Sequence, residues 1–258
     1  MLKQNFLKEK LMRGKAVVGT WMIIPSAKVS DIIASSGLDF LIIDSEHGPI
    51  NFETAELMAI ACENNSASPV MRVSGVQEGE ILKALDIGVH CVQIPNVTTT
   101  EQAKQAISFA KYPPVGNRGF SPFTRVGQYT SVHAKELTQR TNENVLVAMH
   151  IEGKEAADNI DGILNVKELD IVFIGLYDIS KSLGISGDID NHKVMKILRE
   201  TSKKINDAGK YPGSIVTSTE QMKRFIDDGI KYITFSVDCE IIKNNYKAIT
   251  KSFREITS

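Results

Sequence analysis

Eight short apolar runs alternate with amphipathic segments along the 258-residue chain, and this alternation limits the folds that it can adopt. The runs are rich in β-branched residues and too short for helices, which is typical of strands buried on both faces of a parallel sheet. The predicted strands are Val17–Met22, Phe40–Asp44, Pro69–Val73, Cys91–Ile94, Val145–Ile151, Ile171–Gly175, Gly213–Val216 and Tyr232–Ser236.

The segments between the runs have the apolar spacing of helices that pack one face on a sheet. Several end in a helix-stopping glycine directly before the next strand, as at Gly37, Gly88, Gly209 and Gly229. The predicted helices include Thr54–Glu63, Glu78–Ile87, Thr100–Lys111, Lys154–Asn165, Val194–Ala208 and Ser218–Asp228. Eight strands alternating with helices over about 250 residues predict an α/β fold, the (β/α)₈ TIM barrel. A doubly wound open sheet is the alternative, but no GxGxxG turn follows the first strand.

Both ends of the chain have helical patterns. An N-terminal helix is expected before Gly14, and a helical tail over about residues 241–256. No Pro-, Gly- or Ser-rich linker interrupts the sequence, so we expect one domain over residues 1–258. The apolar residues of the N-terminal helix fall on one face: Leu2, Phe6, Leu7 and Leu11.

Composition excludes several classes of function. The chain has 30 basic and 31 acidic residues and a net charge of −1, which gives no electrostatic case for binding nucleic acid or a membrane surface. No apolar run approaches the roughly 18 residues that span a bilayer, and charged residues interrupt the N-terminus where a signal peptide would be apolar. Cys62, Cys91 and Cys239 are isolated, which favours a reducing cytoplasm and argues against a zinc site.

Titratable residues crowd the C-terminal ends of three predicted strands. Charged groups beside buried strands are costly to desolvate, so they commonly mark a site. In a barrel these strand ends meet at the face that holds the active site, which predicts one shared pocket. The residues are Asp44, Glu46 and His47 after the second strand, His150 and Glu152 at the fifth, and Asp178 after the sixth.

Glu152 and Asp178 follow neighbouring predicted strands, and their carboxylates suit a hard divalent cation that also binds water and substrate. Zinc would normally have more His or Cys ligands than this chain offers. The alternative, that both are structural acids at the barrel mouth, stays open. No GxSxG motif, Cys–His pair or strand-end Lys supports nucleophilic or Schiff-base catalysis, and no P-loop or dinucleotide motif is present.

His47 is the candidate general base, because an ordinary imidazole titrates near neutrality. It could instead be a helix-entry residue bonded to its loop. Arg72 follows a buried strand, where a guanidinium is costly unless an anion pairs with it. That anion is either a substrate or a structural partner, Asp44 or Glu46. Asp86 lies on a helical segment and is unremarkable by itself.

One connection, KYPPVGNRGFSPFTRVGQYTSV between the fourth and fifth strands, is unusually long. Long loops in compact domains are commonly lids or binding loops. Arg118, with Phe120, Phe123 and Arg125 after it, has the reach to cover a pocket mouth. The alternative is a packing or interface loop, and the sequence supports both.

The motifs GTWM, LIIDSEHGP, PVMRV, ALDIG, KYPPVGNRG, HIEG, VFIGLYDIS and FSVD together resemble the HpcH/HpaI family of class II pyruvate aldolases from about residue 14 to residue 245. The resemblance implies a (β/α)₈ barrel that reversibly cleaves a 4-hydroxy-2-oxo acid into pyruvate and an aldehyde through a metal-stabilised enolate. It implies a divalent metal, Mg²⁺ or Mn²⁺ with Co²⁺ as a further candidate. It also implies a homohexamer, a trimer of dimers, in which the C-terminal helix is exchanged between subunits.

The resemblance also implies a role for each matching residue. Glu152 and Asp178 become the metal ligands, and Arg72 becomes the group that stabilises charge on the enolate oxygen. His47 becomes the base, which acts on the 4-hydroxyl either directly or through an active-site water. Asp44 lies beside the base, and Asp86 matches an acid that raises its basicity. Substrate contacts are expected from Trp21, Arg118, His150, Gly175, Leu176 and Tyr177.

Two positions depart from the family pattern. His150 replaces a frequent Gln, and Leu176 replaces the Pro of a Gly-Pro turn. Neither change removes a metal ligand, the base or Arg72, so an active enzyme is expected. The alternatives are a citrate-lyase-like CoA thioester lyase, for which the chain lacks a basic cluster, and a non-catalytic 2-oxo acid-binding barrel. The sequence leaves the aldehyde partner open.

Overall fold

Eight parallel strands form a closed barrel in this computed structural model, which describes residues 4–132 and 134–257. The strands pair in chain order and β8 returns to β1, so the predicted (β/α)₈ barrel is confirmed. The strands are β1 Val17–Met22, β2 Phe40–Asp44, β3 Ser68–Arg72, β4 Cys91–Ile94, β5 Leu146–Ile151, β6 Ile171–Ile174, β7 Tyr211–Val216 and β8 Tyr232–Val237.

Helices connect the strands and pack around the barrel. Many begin at a residue whose side chain accepts a backbone N–H, such as Ser26, Asn51, Thr99 and Ser218. The helices are α1 Phe6–Met12, α2 Ala27–Ala34, α3 Phe52–Asn64, α4 Glu78–Asp86, α5 Thr100–Ala110, α6 Ala134–Asn144, α7 Lys154–Asp158, α8 Ile160–Leu164, α9 Leu176–Ser182, α10 His192–Asp207, α11 Thr219–Asp227 and α12 Asp238–Thr257.

The core has two layers, one inside the barrel and one between the strands and the helices. Strand β5 shows how one sequence supplies both, because successive side chains of a strand point to opposite faces. Leu146 and Ala148 belong to the inner cluster, whereas Val147 and Met149 belong to the outer one. His150 continues the inner row, so its side chain points into the barrel.

Helix α1 closes the barrel at the amino ends of the strands. Leu7 and Leu11 are buried in the inner cluster. Asn5, at the N-cap of α1, donates from Nδ2 to the carbonyl oxygens of His90 and Asn144, at 2.9 and 2.8 Å. The opposite face, at the carboxyl ends of the strands, is therefore where a site can open. Leu2, which was expected on this helix, lies outside the described residues.

Helix α12 contains the predicted helical tail. Its first turn packs against β1 and β8, and most of its remaining length is exposed. An exposed apolar row runs along it with alternating spacings of four and three residues: Ile242, Tyr246, Ile249, Phe253 and Ile256. Across residues 4–132 and 134–257, no helix combines the length and apolar character needed to cross a membrane.

Candidate active site

A buried ion pair joins the ends of β2 and β3. Asp44 and Arg72 are neighbours in the β2–β3 register, and both are buried. Nε and Nη2 of Arg72 donate to the two carboxylate oxygens of Asp44, at 2.8 and 2.6 Å. Asp44 Oδ1 also accepts the backbone N–H groups of Glu46 and His47. One carboxylate thus orients both the guanidinium and the loop that carries the candidate base.

The remaining guanidinium nitrogen of Arg72, Nη1, pairs with Glu46. Nη1 lies 2.9 Å from Oε2 of Glu46, and the guanidinium carbon lies 4.3 Å from the centre of the Trp21 ring. Both structural ion pairs considered for Arg72 are therefore present. The paired charge and the ring beneath it hold the guanidinium in one position.

Glu152 follows β5 and is held by two donors. Its Oε1 lies 2.5 Å from Nδ1 of His150, and its Oε2 accepts the backbone N–H of Asn96 at 3.2 Å. Burial by itself would raise the pKa of Glu152, but its interactions with His150, followed by the charge of Arg72, outweigh burial and lower the pKa. An ionised, oriented carboxylate at this position is suited to binding a cation.

Glu46 lies next to Glu152 and shares Asn96 with it. Asn96 Nδ2 donates to Glu46 Oε1 at 3.3 Å. Asn96 has φ 55°, in the left-handed region that Asn tolerates better than most residues, and strained backbone of this kind often occurs at functional sites. Burial raises the pKa of Glu46, and the Glu152 carboxylate adds to this effect against the charge of Arg72. Three carboxylates, those of Asp44, Glu46 and Glu152, lie around the single guanidinium of Arg72, so negative charge is in excess here.

The β6–α9 turn forms the next wall of the site. β5 pairs with β6, so Glu152 and Asp178 follow adjacent strands. A Cβ on Gly175 would lie 2.9 Å from Cγ of Glu152, so a larger residue at 175 would displace that side chain. Leu176 is buried at the start of α9, whereas Tyr177 and Asp178 are exposed in its first turn.

The donor set fits a hard divalent cation. Within the two described stretches, no group of three or more His, Cys, Asp or Glu side chains is arranged as a complete ligand set. A site for such a cation nevertheless commonly has only one or two carboxylate ligands, because water and substrate oxygens fill the other positions. Oε2 of Glu46 is buried and forms the ion pair with Arg72, but it accepts no hydrogen bond. A cation would offset the excess negative charge of Glu46 and Glu152.

His47 and Trp21 take different positions. The imidazole of His47 is 72% exposed at the mouth, with Nε2 4.0 Å from Oε2 of Glu46. Trp21 is buried: its Nε1 donates to Oγ1 of Thr234 at 3.1 Å, and its ring meets that of His150 edge-on. The structure therefore puts Trp21 in the floor of the site and His47 at its rim.

Asp86 and Arg118 lie elsewhere. Nη2 of buried Arg118 donates to Oδ1 of Asp86 at 2.6 Å, and its guanidinium lies over the Tyr112 ring. Asp86 is the last residue of α4, which runs back to the amino ends of the strands, opposite Glu152. Arg125, farther along the long loop, contacts α3 and donates to the carbonyl oxygen of Ile87. At these two arginines the long loop is packed against the helices. Within a single chain, Asp86 and His47 lie at opposite ends of the barrel.

Three residues without an assigned role in the sequence contribute to the site. Glu46 was recognised at a strand end, but only as a candidate structural partner of Arg72. Gln93 is in register with Arg72 and contacts Nε2 of His150. Asn96 follows β4 and joins the two glutamates. An amide at an inward position near a strand end was the available signal for Gln93, and Asn96 had none.

Comparison with known proteins identifies relatives of this chain in sequence and in fold. The family model described as HpcH/HpaI aldolase/citrate lyase matches residues 18–245. The 4-hydroxy-2-oxo-heptane-1,7-dioate aldolase of Shigella boydii serotype 18 is 30% identical over 253 residues, which cover 97% of this chain and 95% of that protein. The crystal structure of the HpcH/HpaI aldolase from Desulfitobacterium hafniense DCB-2 has a TM-score of 0.92, with 29% identity and 97% of each chain covered. The citrate synthase SbnG has a TM-score of 0.90, with 28% identity and coverage of 98% and 99%.

Proposed function

Because the chain belongs to the HpcH/HpaI aldolase/citrate lyase family, we propose that it is a metal-dependent aldolase that reversibly cleaves a 4-hydroxy-2-oxo acid into pyruvate and an aldehyde. The observation that carries this proposal is the joint arrangement of Asp44, Arg72, Glu46 and Glu152 at the carboxyl end of the barrel. It combines an oriented cationic donor with excess carboxylate, which suits a 2-oxo acid bound beside a divalent cation.

Glu152 and Asp178 are the residues that would hold the metal, for which Mg²⁺ and Mn²⁺ are the first candidates and Co²⁺ a third. When bound, a divalent ion supplies the Lewis acidity that stabilises the negative charge of a pyruvate enolate. Glu152 is the better prepared of the two, because hydrogen bonds already orient its carboxylate. Asp178 is exposed in the first turn of α9, which follows the neighbouring strand β6.

Arg72 supplies a fixed donor for the developing negative charge. Asp44 engages Nε and Nη2, so Nη1, which lies beside Glu46, is the nitrogen that would donate to the C2 oxygen of the oxo acid. Because Asp44 and Trp21 already hold the guanidinium, little reorganisation is needed as charge appears on that oxygen.

His47 moves the proton. In the cleavage direction its imidazole takes the proton of the 4-hydroxyl as the C3–C4 bond breaks, and the bonding electron pair moves into the enolate, which is protonated at C3. The ring is exposed at the rim, where an incoming substrate reaches it. In the turn of Gly175, Leu176 and Tyr177, the first N–H groups of α9 lack intrahelical partners and would bind the substrate carboxylate.

We propose a homo-oligomer, a hexamer built as a trimer of dimers, in which α12 is exchanged between subunits. The exposed apolar row of this helix has the alternating spacing of a helix–helix seam. Phe253→Glu, which places a charge in that row, should lower the mass measured by light scattering after gel filtration. The matched control is Lys251→Glu on the opposite face, which should leave the mass unchanged. An unchanged mass for both variants would refute the seam.

The test of function is a cleavage and condensation assay. Pyruvate should form from 4-hydroxy-2-oxo acids, EDTA should abolish the reaction, and Mg²⁺ or Mn²⁺ should restore it. In the condensation direction, pyruvate with a panel of aldehydes should identify the acceptor. EDTA-resistant activity that borohydride traps would contradict the metal-dependent mechanism and indicate a Schiff base.

A second candidate is carbon–carbon bond formation or cleavage on a citrate-like or CoA-thioester substrate. The observation in its favour is that a citrate synthase has nearly the same fold and a comparable identity. Assaying citrate-type and CoA-thioester substrates beside the free hydroxy-oxo acids separates the two. Turnover of the former without the latter would reverse the ranking.

A further inference from the structure

Four polar side chains form a continuous relay through the barrel, from Tyr232 through Gln93 and His150 to Glu152. We propose that His150 is a positioning residue, which with this relay behind it fixes the orientation in which Glu152 binds a metal. The inference rests on the proposed function in its use of Glu152 as a metal ligand.

The relay has one consistent direction of hydrogen bonding. The Tyr232 hydroxyl donates to Oε1 of Gln93 at 3.2 Å, which turns the Gln93 amide N–H groups toward Nε2 of His150. An amide nitrogen only donates, so Nε2 must accept. The proton of the neutral ring then resides on Nδ1, which donates to Oε1 of Glu152. Each link sets the orientation of the next.

Aromatic packing prevents the His150 ring from turning. Its face stacks on Phe173 with the centroids 4.7 Å apart, and Trp21 meets it edge-on at 5.9 Å. Tyr232, at the far end, stacks on Phe40 at 4.2 Å. His150, Gln93 and Tyr232 are at most 1% exposed, so the relay is shielded from competing water.

Glu152 is consequently held on three sides. His150 donates to one oxygen, the Asn96 backbone donates to the other, and Gly175 leaves just enough room for Cγ. Both ring nitrogens of His150 are engaged inside the barrel, so the ring acts through Glu152 and not on the substrate. Residues that orient a ligand in this way typically contribute about 10–100-fold to metal affinity.

The test is Mn²⁺ binding by isothermal titration, with thermal unfolding measured in parallel. His150→Phe keeps a ring between Phe173 and Trp21 but removes both nitrogens, and it should weaken Mn²⁺ binding about 10–100-fold. His150→Gln restores a donor for Glu152 and an acceptor for Gln93, so it should bind within a few-fold of the wild type. Mn²⁺ affinity unchanged in His150→Phe would overturn the proposal, as would equal weakening in both variants.

Two further measurements keep the outcomes apart. If His150→Phe does not fold, Gln93→Met tests the relay one link farther away. It should weaken Mn²⁺ binding relative to the wild type, whereas wild-type affinity would overturn the relay. Nitrogen-15 NMR of the imidazole in the metal-free protein should show the proton on Nδ1, and a proton on Nε2 would overturn it. If the wild type binds no Mn²⁺, the metal site and the proposed function fail together, while the NMR result still decides the direction of the relay.

Discussion

Replacement of Asp44 by Asn tests whether the buried pair with Arg72 organises the site. Asn keeps the shape and one acceptor oxygen, but it puts an NH₂ group against the guanidinium donors. Loss of one partner from a buried ion pair costs about 3–5 kcal/mol. Glu46 remains 2.9 Å from Nη1 of Arg72, so we expect the lower end, about 3 kcal/mol.

A cost of this size is readily measured. For a chain of this length each kcal/mol lowers the melting temperature by about 2–4 °C, so Asp44→Asn should melt about 6–12 °C below the wild type. Urea unfolding at a fixed chain concentration gives the free energy directly. Because Arg72 is displaced, not removed, aldol cleavage should slow on the order of 100-fold.

The control separates the ion pair from the loop, because Asp44 also accepts the N–H groups of Glu46 and His47. In an Arg72→Met background, Asp44→Asn should lower the free energy of unfolding much less than it does in the wild type, since the buried guanidinium charge that Asp44 pairs with is already gone. Equal cost in both backgrounds would assign the stability to the loop. A cost below about 1 kcal/mol in the wild type would refute the argument from the buried pair.

Three further predictions follow from single contacts. Gly175→Ala should weaken Mn²⁺ binding with little change in melting temperature, because the Cβ of the alanine would lie 2.9 Å from Cγ of Glu152. Unchanged Mn²⁺ affinity would show that the Glu152 side chain adjusts freely. Asn5→Ala should lower the free energy of unfolding by about 2 kcal/mol in urea titrations, since it removes a helix cap and the two hydrogen bonds that Nδ2 donates. A neutral result would show that α1 is dispensable. Burial raises the pKa of the Cys62 thiol to about 12. At pH 8 a thiol reagent should therefore label exposed Cys239 and leave Cys62 unmodified until the chain unfolds. Rapid labelling of both cysteines would contradict the burial of Cys62.

Most of the barrel could be predicted because parallel strands bury both faces and read as continuous apolar runs. The differences come from tertiary contacts. The segment predicted as one helix over Lys154–Asn165 is broken at Asn159, whose side chain donates to the carbonyl oxygen of Thr98. Strand β7 begins at Tyr211, ahead of the predicted Gly213, because the carbonyl of Pro212 still accepts a hydrogen bond from β8's side of the sheet.

The site was less predictable than the fold, for a related reason. Acids at strand ends are visible in the sequence, but the direction of each side chain is not. All six residues of β5 are buried, so no polar–apolar alternation indicates that His150 points inward. Arg118 was expected at the mouth from the length of its loop, yet its partner Asp86 lies at the other end of the barrel, a pairing that no local pattern encodes.

Trp21 gives this protein a built-in optical probe. It is the single tryptophan of the chain, and its ring contacts both the Arg72 guanidinium and the His150 imidazole. A change in either neighbour alters the electric field across the indole, so its emission should respond when a ligand engages Arg72. Stopped-flow fluorescence of the unlabelled enzyme can then time binding, bond cleavage and product release as separate phases, and so identify the step that limits turnover.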